Sequence, residues 1–218
     1  MSLLKFFAPD SQETDEEFVN RCLDNLNNPK LVRDALIDIV PFARKYSSII
    51  GLKSSTILAK LLSDFSKDNE AVQNILQILN ELVLDDSLDS NSNSGYIVDE
   101  ETALPNIFEC LNNKSAKIRG LSLSLIKNLL RLQPSKVQSF FFETARAQKS
   151  LCNLIDDPVD MIRSNFMYLI PSLVQGNNDI QQMMAFSLMD PLAERISTLP
   201  SAEVIPALQS LLDEQFHF

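Results

Sequence analysis

Residues 118–129 read IRGLSLSLIKNL, and the phrase recurs as VRDALIDIVPFA at 32–43, VQNILQILNELV at 72–83 and IRSNFMYLIPSL at 162–173. Stacked on one another, the four phrases keep their apolar residues in register. The first position holds Val32, Val72, Ile118 and Ile162; the eighth Ile39, Leu79, Leu125 and Leu169; the twelfth Ala43, Val83, Leu129 and Leu173. Those positions fall on one stripe of an α-helix. The phrases begin 40, 46 and 44 residues apart, and an all-helical repeat of that length is the signature of armadillo or HEAT units. A fifth unit begins at Val204, with Leu208, Leu211 and Leu212 behind it. The expected fold is therefore all-α: an armadillo/HEAT-like, right-handed superhelical solenoid of about four repeats plus a partial fifth, forming one domain over residues 1–218.

The helical period extends over most of the chain, and no run of alternating strand residues interrupts it. The pattern predicts helices at 15–27, 30–46, 51–63, 69–84, 100–112, 116–132, 136–145, 147–155, 158–175, 179–186, 191–198 and 202–214. Helix starts are marked by the capping boxes Thr14/Glu17 and Ser135/Gln138, and by Asp157-Pro158 and Asp190-Pro191, each a cap residue followed by a proline.

Of 218 residues, 45 % are hydrophobic and 22 % charged, and the net charge is −10. Two stretches carry the excess. Residues 1–28 hold six acidic residues against Lys5 and Arg21, and residues 85–101, DDSLDSNSNSGYIVDEE, hold six and no basic one. Rich in Ser, Asn and Asp, the second stretch has little apolar surface to offset its ordering entropy, and 85–98 reads as a flexible acidic loop. So acidic a surface repels phosphate and argues against nucleic acid as a partner.

Beside the apolar ladder runs a polar one. Arg33, Arg119 and Arg163 each follow the first apolar residue of a phrase, and Asn27, Asn113 and Asp157 stand six residues before them. One reading is a row of arginines for an acidic ligand, with Lys60, Lys114 and Lys117 close in sequence. Stacking favours the other, in which the Asn or Asp caps the helix and the Arg ties one repeat to the next. The second repeat breaks the pattern with Lys67 and Gln73.

Phe140, Phe141 and Phe142 are consecutive and cannot share one helix face, so at least one points to solvent or to a neighbour. They are the candidate partner-binding residues; the competing reading packs them between layers. Phe216-His217-Phe218 places a second aromatic group at the end of an unfinished repeat.

Little else speaks for chemistry. The one histidine, His217, stands next to the end of the chain, which argues against histidine-based catalysis. Gly51, Gly95, Gly120 and Gly176 are isolated, leaving no phosphate loop. Cys22, Cys110 and Cys152 form no CxxC pair and read as reduced thiols of a cytosolic protein. The acidic stretch lacks the DxDxDG spacing of a calcium loop. Carboxylate pairs such as Asp34/Asp38 and Asp156/Asp160 read as solvated charge. No cofactor and no metal are expected, and no apolar run approaches the ~20 residues of a membrane span.

Three stretches in order resemble the globular head of the Golgi vesicle-tethering factor family, the general vesicular transport factors. They are EEFVNRCLDNL with VRDALIDIVPFARKY, ending in the basic run Arg44-Lys45-Tyr46; VQNILQILNELVLDD with the acidic stretch behind it; and LCNLIDDPVDMIRSNFMYLIPSLVQGNNDIQQMMAF, with Ile180-Gln181 and Ala185-Phe186. The resemblance covers roughly residues 15–212. It departs from the family after Phe186, where this chain reads SLMDPLAERI, and no heptad-repeat tail follows; the expectation is an amino-terminal fragment or a shortened, divergent relative. The resemblance implies a non-enzymatic factor of ER-to-Golgi transport, cytoplasmic and peripherally associated with Golgi or vesicle membranes. The partners it implies are a Rab-type GTPase, other tethers and SNAREs, with a homodimer as a further expected assembly. The alternative is an armadillo-type Hsp70 co-chaperone, which shares the repeats but not the Arg44-Lys45-Tyr46 run or the acidic insertion. A nuclear-import adaptor fits less well, because its Trp/Asn ladder has no counterpart in a chain without Trp.

Overall fold

The structure, a computed structural model, describes residues 13–195 and 201–212. They contain helices and no strand. In chain order the helices are α1 (Asp15–Asn25), α2 (Val32–Ile39), α3 (Ser47–Asp64), α4 (Asn69–Leu82), α5 (Leu88–Asp99), α6 (Ala103–Glu109), α7 (Ala116–Leu132), α8 (Pro134–Glu143), α9 (Ala145–Cys152), α10 (Asp160–Val174), α11 (Asn178–Arg195) and α12 (Ser201–Leu212). Single 3-10 turns extend α2, α6 and α9.

The repeated phrases become α2, α4, α7 and α10, and each packs on the next, with α12 on α10. Every first-, eighth- and twelfth-position residue of the ladder is buried, as is Val204 of α12. Behind this row a second row, α1, α3, α6 and α9, stacks in the same order, and α1, α3 and α6 each touch the phrase helix that follows them. The core lies between the rows and runs from Val19 to Leu211 as one cluster. Burying each Leu, Ile or Phe of such a seam contributes about 1.5–3 kcal/mol. Because each layer touches mainly its neighbours, the architecture is an α-solenoid of armadillo-like repeats.

At the start of α1 the Thr14/Glu17 box forms: Glu17 N donates to Thr14 Oγ1 at 3.2 Å and Thr14 N to Glu17 Oε2 at 2.9 Å. The other three expected starts do not form as read. The helix α8 begins one residue before Ser135, at Pro134, and Gln138 turns inward to donate to the carbonyls of Leu173 and Gln175, both at 3.0 Å. Asp157 does not cap α10 directly, because the helix begins at Asp160. Asp190-Pro191 starts nothing: α11 runs through Pro191, and buried Leu188 and Leu192 hold the turns on either side against the core.

The larger correction concerns residues 85–98, expected as a flexible loop. Residues 88–99 are helix α5, lying along α3 and touching α4, α6 and α7. Ser87 caps it, accepting from Ser90 N at 3.1 Å. Apolar burial is slight, chiefly Ile97, and the polar residues are buried with partners instead. Asn93 Nδ2 donates to Ser47 O and Leu82 O, both at 3.1 Å, and Gln133 donates to Ser94 Oγ at 3.1 Å. Basic residues from elsewhere in the chain offset the negative charge: Arg131 pairs with Asp86 and donates to the carbonyls of Val83 and Asp85, Lys136 pairs with Asp99, and Lys60 with Glu100. The fit against α3 depends on Gly51, where a Cβ would come within 1.9 Å of Asn93 Oδ1. Asp85 accepts from the Ser87 and Ser90 hydroxyls and the Ser87 amide, which hold its carboxyl down to about 2.

The residues Phe216, His217 and Phe218, singled out in the sequence, lie outside the described residues.

Candidate functional site

The Asn/Asp–Arg ladder is built at the turns that lead into α2, α4, α7 and α10. Arg33 reaches Asp68 at 2.8 Å and lies over the Phe65 ring, 5.4 Å from its centre, so it ties the first repeat to the second. Asp68 also caps α4, accepting from Ala71 N at 3.2 Å. Next to it, Asn69 Oδ1 accepts from Asn113 Nδ2 at 3.3 Å. Arg119 then gives Nε and Nη2 to the two oxygens of Asp157 at 2.6 and 2.9 Å, and Nη1 to the carbonyls of Asn113 and Lys114. This rung is the buried one: the Arg119 and Asp157 side chains are 10 % and 3 % exposed.

Burial pushes the Asp157 carboxyl up, but the Arg119 hydrogen bonds, the Val159 amide and the charges of Arg119 and Arg163 outweigh it and hold the group below the usual range. Arg163 turns back onto its own repeat, pairing with Asp160 and donating Nη1 to the Asp157 carbonyl at 2.5 Å. Asn113 and Asp157 do not cap their helices; each accepts the amide two residues on, from Ser115 at 2.8 Å and Val159 at 2.9 Å, as an Asx turn ahead of the helix. Asn27 is exposed and ends no helix; the neighbouring Asn28 takes the turn role, accepting from Lys30 N.

Each ladder arginine is thus paired within the fold, Arg33 and Arg119 across repeats and Arg163 within its own. The break read at Lys67 is a slip of one residue, since Asp68 supplies the acceptor, an aspartate visible in the sequence; at Gln73 the break stands, and the second turn meets the third through Asn69 and Asn113 instead of an arginine.

The Phe triplet separates as its spacing demands. Phe141 is fully buried, Phe140 is half-buried with its ring 5.4 Å from that of Phe108, and Phe142 is 45 % exposed. Phe140 lines an open groove of about 420 Å³ between the α5–α6 corner and α8. Its floor is Val98, Leu104, Pro105 and Phe140, and its rim carries Glu100, Glu101 and Glu143 with Lys136. A smaller cavity of about 160 Å³ shares Phe140 and Pro105, and Arg146 and Glu109 pair at its edge at 2.7 Å. Sequence reading missed the groove because Glu100-Glu101 and Glu143 meet only through the packing of α8 on the α5–α6 corner and because Val98 was placed in a loop; the local signal was Glu100-Glu101 running directly into an apolar helix start.

Nucleophile chemistry finds no support in the thiols: burial pushes Cys110 up to about 12 and Cys152 to about 11, and also raises Cys22, keeping all three protonated. Among the described residues no group of three His, Cys, Asp or Glu is placed to hold a metal ion, and no helix is long and apolar enough to cross a membrane.

The family model for the Neurobeachin/BDCP, DUF4704 alpha solenoid region matches residues 31–212. Intracellular protein transport protein uso1 of Schizosaccharomyces pombe is 25 % identical over 189 residues, which cover 82 % of this chain. The crystal structure of Uso1-2 superposes with a TM-score of 0.80 at 16 % identity over 94 % of this chain, and a designed armadillo repeat protein with 0.72 at 18 % over 88 %. The chain spans 17 % of the length of the transport protein and 37 % of the Uso1-2 chain. The fold shared with the Uso1 structures and the sequence match to uso1 bear out the resemblance to a tethering-factor head.

Proposed function

The chain belongs to the family of the Neurobeachin/BDCP, DUF4704 alpha solenoid region, and from that premise we propose that it works as a non-enzymatic, tethering-factor-like scaffold for protein partners in vesicle transport. The observation that carries this reading is the match to intracellular protein transport protein uso1 across 82 % of the chain. The geometry agrees with it: Arg33 and Arg119 of the polar ladder tie neighbouring repeats, burial keeps the thiols protonated, and among the open grooves is one lined by residues from three helices. A solenoid of stacked repeats presents such surfaces because each layer leaves its outer side chains free.

The partners we assign are a Rab-type GTPase in its GTP-bound state, other tethers and SNAREs, with recruitment to Golgi or transport-vesicle membranes through those proteins. Phe140 and Phe142 are the assigned contact; Phe141, a candidate in the sequence, is fully buried and drops out. Binding of the purified chain to a panel of Rab-type GTPases, each loaded with a GTP analogue or with GDP, tests this. Selective binding of one GTP-loaded member is the expected result. Binding only to an Hsp70 nucleotide-binding domain run in the same panel transfers the chain to the co-chaperone class, and binding to none removes the GTPase assignment.

A further inference from the structure

We infer that the groove between the α5–α6 corner and α8 is a docking site for a basic amphipathic helix of a partner protein; the inference rests on the scaffold reading above and adds the chemistry of the partner. On α8 the groove residues are Ser135, Lys136, Ser139, Phe140 and Glu143. That is one face of the helix, and at 1.5 Å per residue it runs about 12 Å, the length of two helical turns. Across from it, Val98 in the last turn of α5 and Leu104-Pro105 in the first turn of α6 give an apolar floor with Phe140. Two turns of a partner helix carry apolar residues at i, i+3 and i+4, which fit such a floor.

Charge selects the partner. Glu100 is engaged by Lys60 at 3.4 Å and Lys136 is engaged by Asp99. The two remaining rim carboxylates, Glu101 and Glu143, are exposed and have no ionic partner among the described residues. They stand on opposite walls, one at the α5–α6 corner and one at the last residue of α8. A helix lying between them is attracted if Lys or Arg flanks its apolar stripe on both sides, and repelled if the flanks are acidic. The carboxylate of Glu143 also lies at the C-terminal end of α8, where the helix macrodipole is negative and a partner's cation gains further.

The test uses the full chain and a fluorescein-labelled amphipathic peptide of Leu and Lys, with a Leu and Glu peptide of the same apolar pattern beside it, read by fluorescence anisotropy. The basic peptide binds, the acidic one does not, and affinity falls as salt shortens the Debye length from about 8 Å at physiological ionic strength to about 3 Å at 1 M. Glu101→Lys with Glu143→Lys weakens binding by about 10-fold or more, the equivalent of a like-charge contact at each wall. Ser139→Trp, which fills the exposed groove without changing its charge, weakens it too. Asp24→Lys with Asp38→Lys, the same charge change on α1 and α2, leaves it within about 2-fold.

Equal losses from both charge pairs, an unaffected Ser139→Trp variant, or no binding at all overturn the inference. So does sedimentation equilibrium showing that the groove variants abolish self-association, since the occupant is then a second copy. GTPase binding that survives in the Glu101/Glu143 variant after the peptide test has failed removes the groove and keeps the scaffold. Peptide binding without any GTPase binding keeps the groove and removes the GTPase assignment.

Discussion

Replacing Asp157 by alanine removes the acceptor of the buried rung between the third and fourth repeats. In the folded chain Arg119 gives two charge-assisted hydrogen bonds to that carboxylate at 2.6 and 2.9 Å and holds the Asn113 and Lys114 carbonyls with Nη1. The substitution leaves the two backbone acceptors but strands Nε and Nη2 of a side chain only 10 % exposed. Breaking a buried pair from one side costs about 3–5 kcal/mol, because the remaining charge stays desolvated without compensation. Losing the Asx bond to Val159 N adds about 0.5–1.5 kcal/mol. Urea unfolding followed by circular dichroism reads the loss: with a slope of about 2–3 kcal/mol/M, the midpoint falls by about 1–3 M. In the same experiment the double variant Arg119→Met/Asp157→Leu recovers most of that loss, since an apolar pair of similar volume replaces a buried ion pair at little cost. A midpoint for Asp157→Ala within about 0.2 M of the parent, or a double variant as unstable as the two single losses added, refutes the claim that this rung holds the two repeats together.

Three further outcomes follow from the same packing. Gly51→Ala lowers thermal stability by about 1–3 kcal/mol through overpacking, although alanine is the better helix former by about 1 kcal/mol, because the new methyl meets Asn93, which is itself held by Ser47 O and Leu82 O; an unchanged or raised melting temperature contradicts the α3–α5 fit. Leu125→Ala and Leu169→Ala, both at the eighth position and buried, each destabilise by about 2–5 kcal/mol in denaturant titrations; unchanged midpoints mean that the repeat register is wrong. Because the folded chain holds Asp157 below the usual carboxylate range, its stabilisation is complete above about pH 4, the unfolded value, and is lost as pH falls through the lower folded value. Urea midpoints measured between neutral pH and pH 3 therefore decline more steeply at the acid end for the parent than for Asp157→Asn.

The repeated phrases were legible because one seam sets their apolar register: the residue types at positions one, eight and twelve are dictated by the same neighbour-on-neighbour burial in every layer. The capping box at Thr14 was legible because it is local, closed within four residues. What failed was non-local. The stretch 85–98 has the composition of a loop, and only Arg131, Gln133 and Lys136, some forty residues on, together with the carbonyls of Ser47 and Leu82, supply the partners that make α5 a helix. Pro191 reads as a helix start, but Leu188 and Leu192 on its two sides belong to one buried stripe, and packing outweighs the missing amide. The rung at Asp68 was hidden by a slip of one residue at a turn, where apolar register does not constrain spacing. The groove inherits the first of these failures, since two of its walls are the end of α5 and the acidic corner behind it.

Helix α5, packed against α3 and walling the groove, is therefore the feature on which the groove depends, and hydrogen exchange of the amides in residues 88–99 tests it most directly. Slow exchange there, protected like that of α4 and α7, is the predicted result, with protection reduced in Asn93→Ala. Exchange at the rate of an unstructured peptide contradicts the account, because the acidic stretch is then a loop and the groove has no α5 wall.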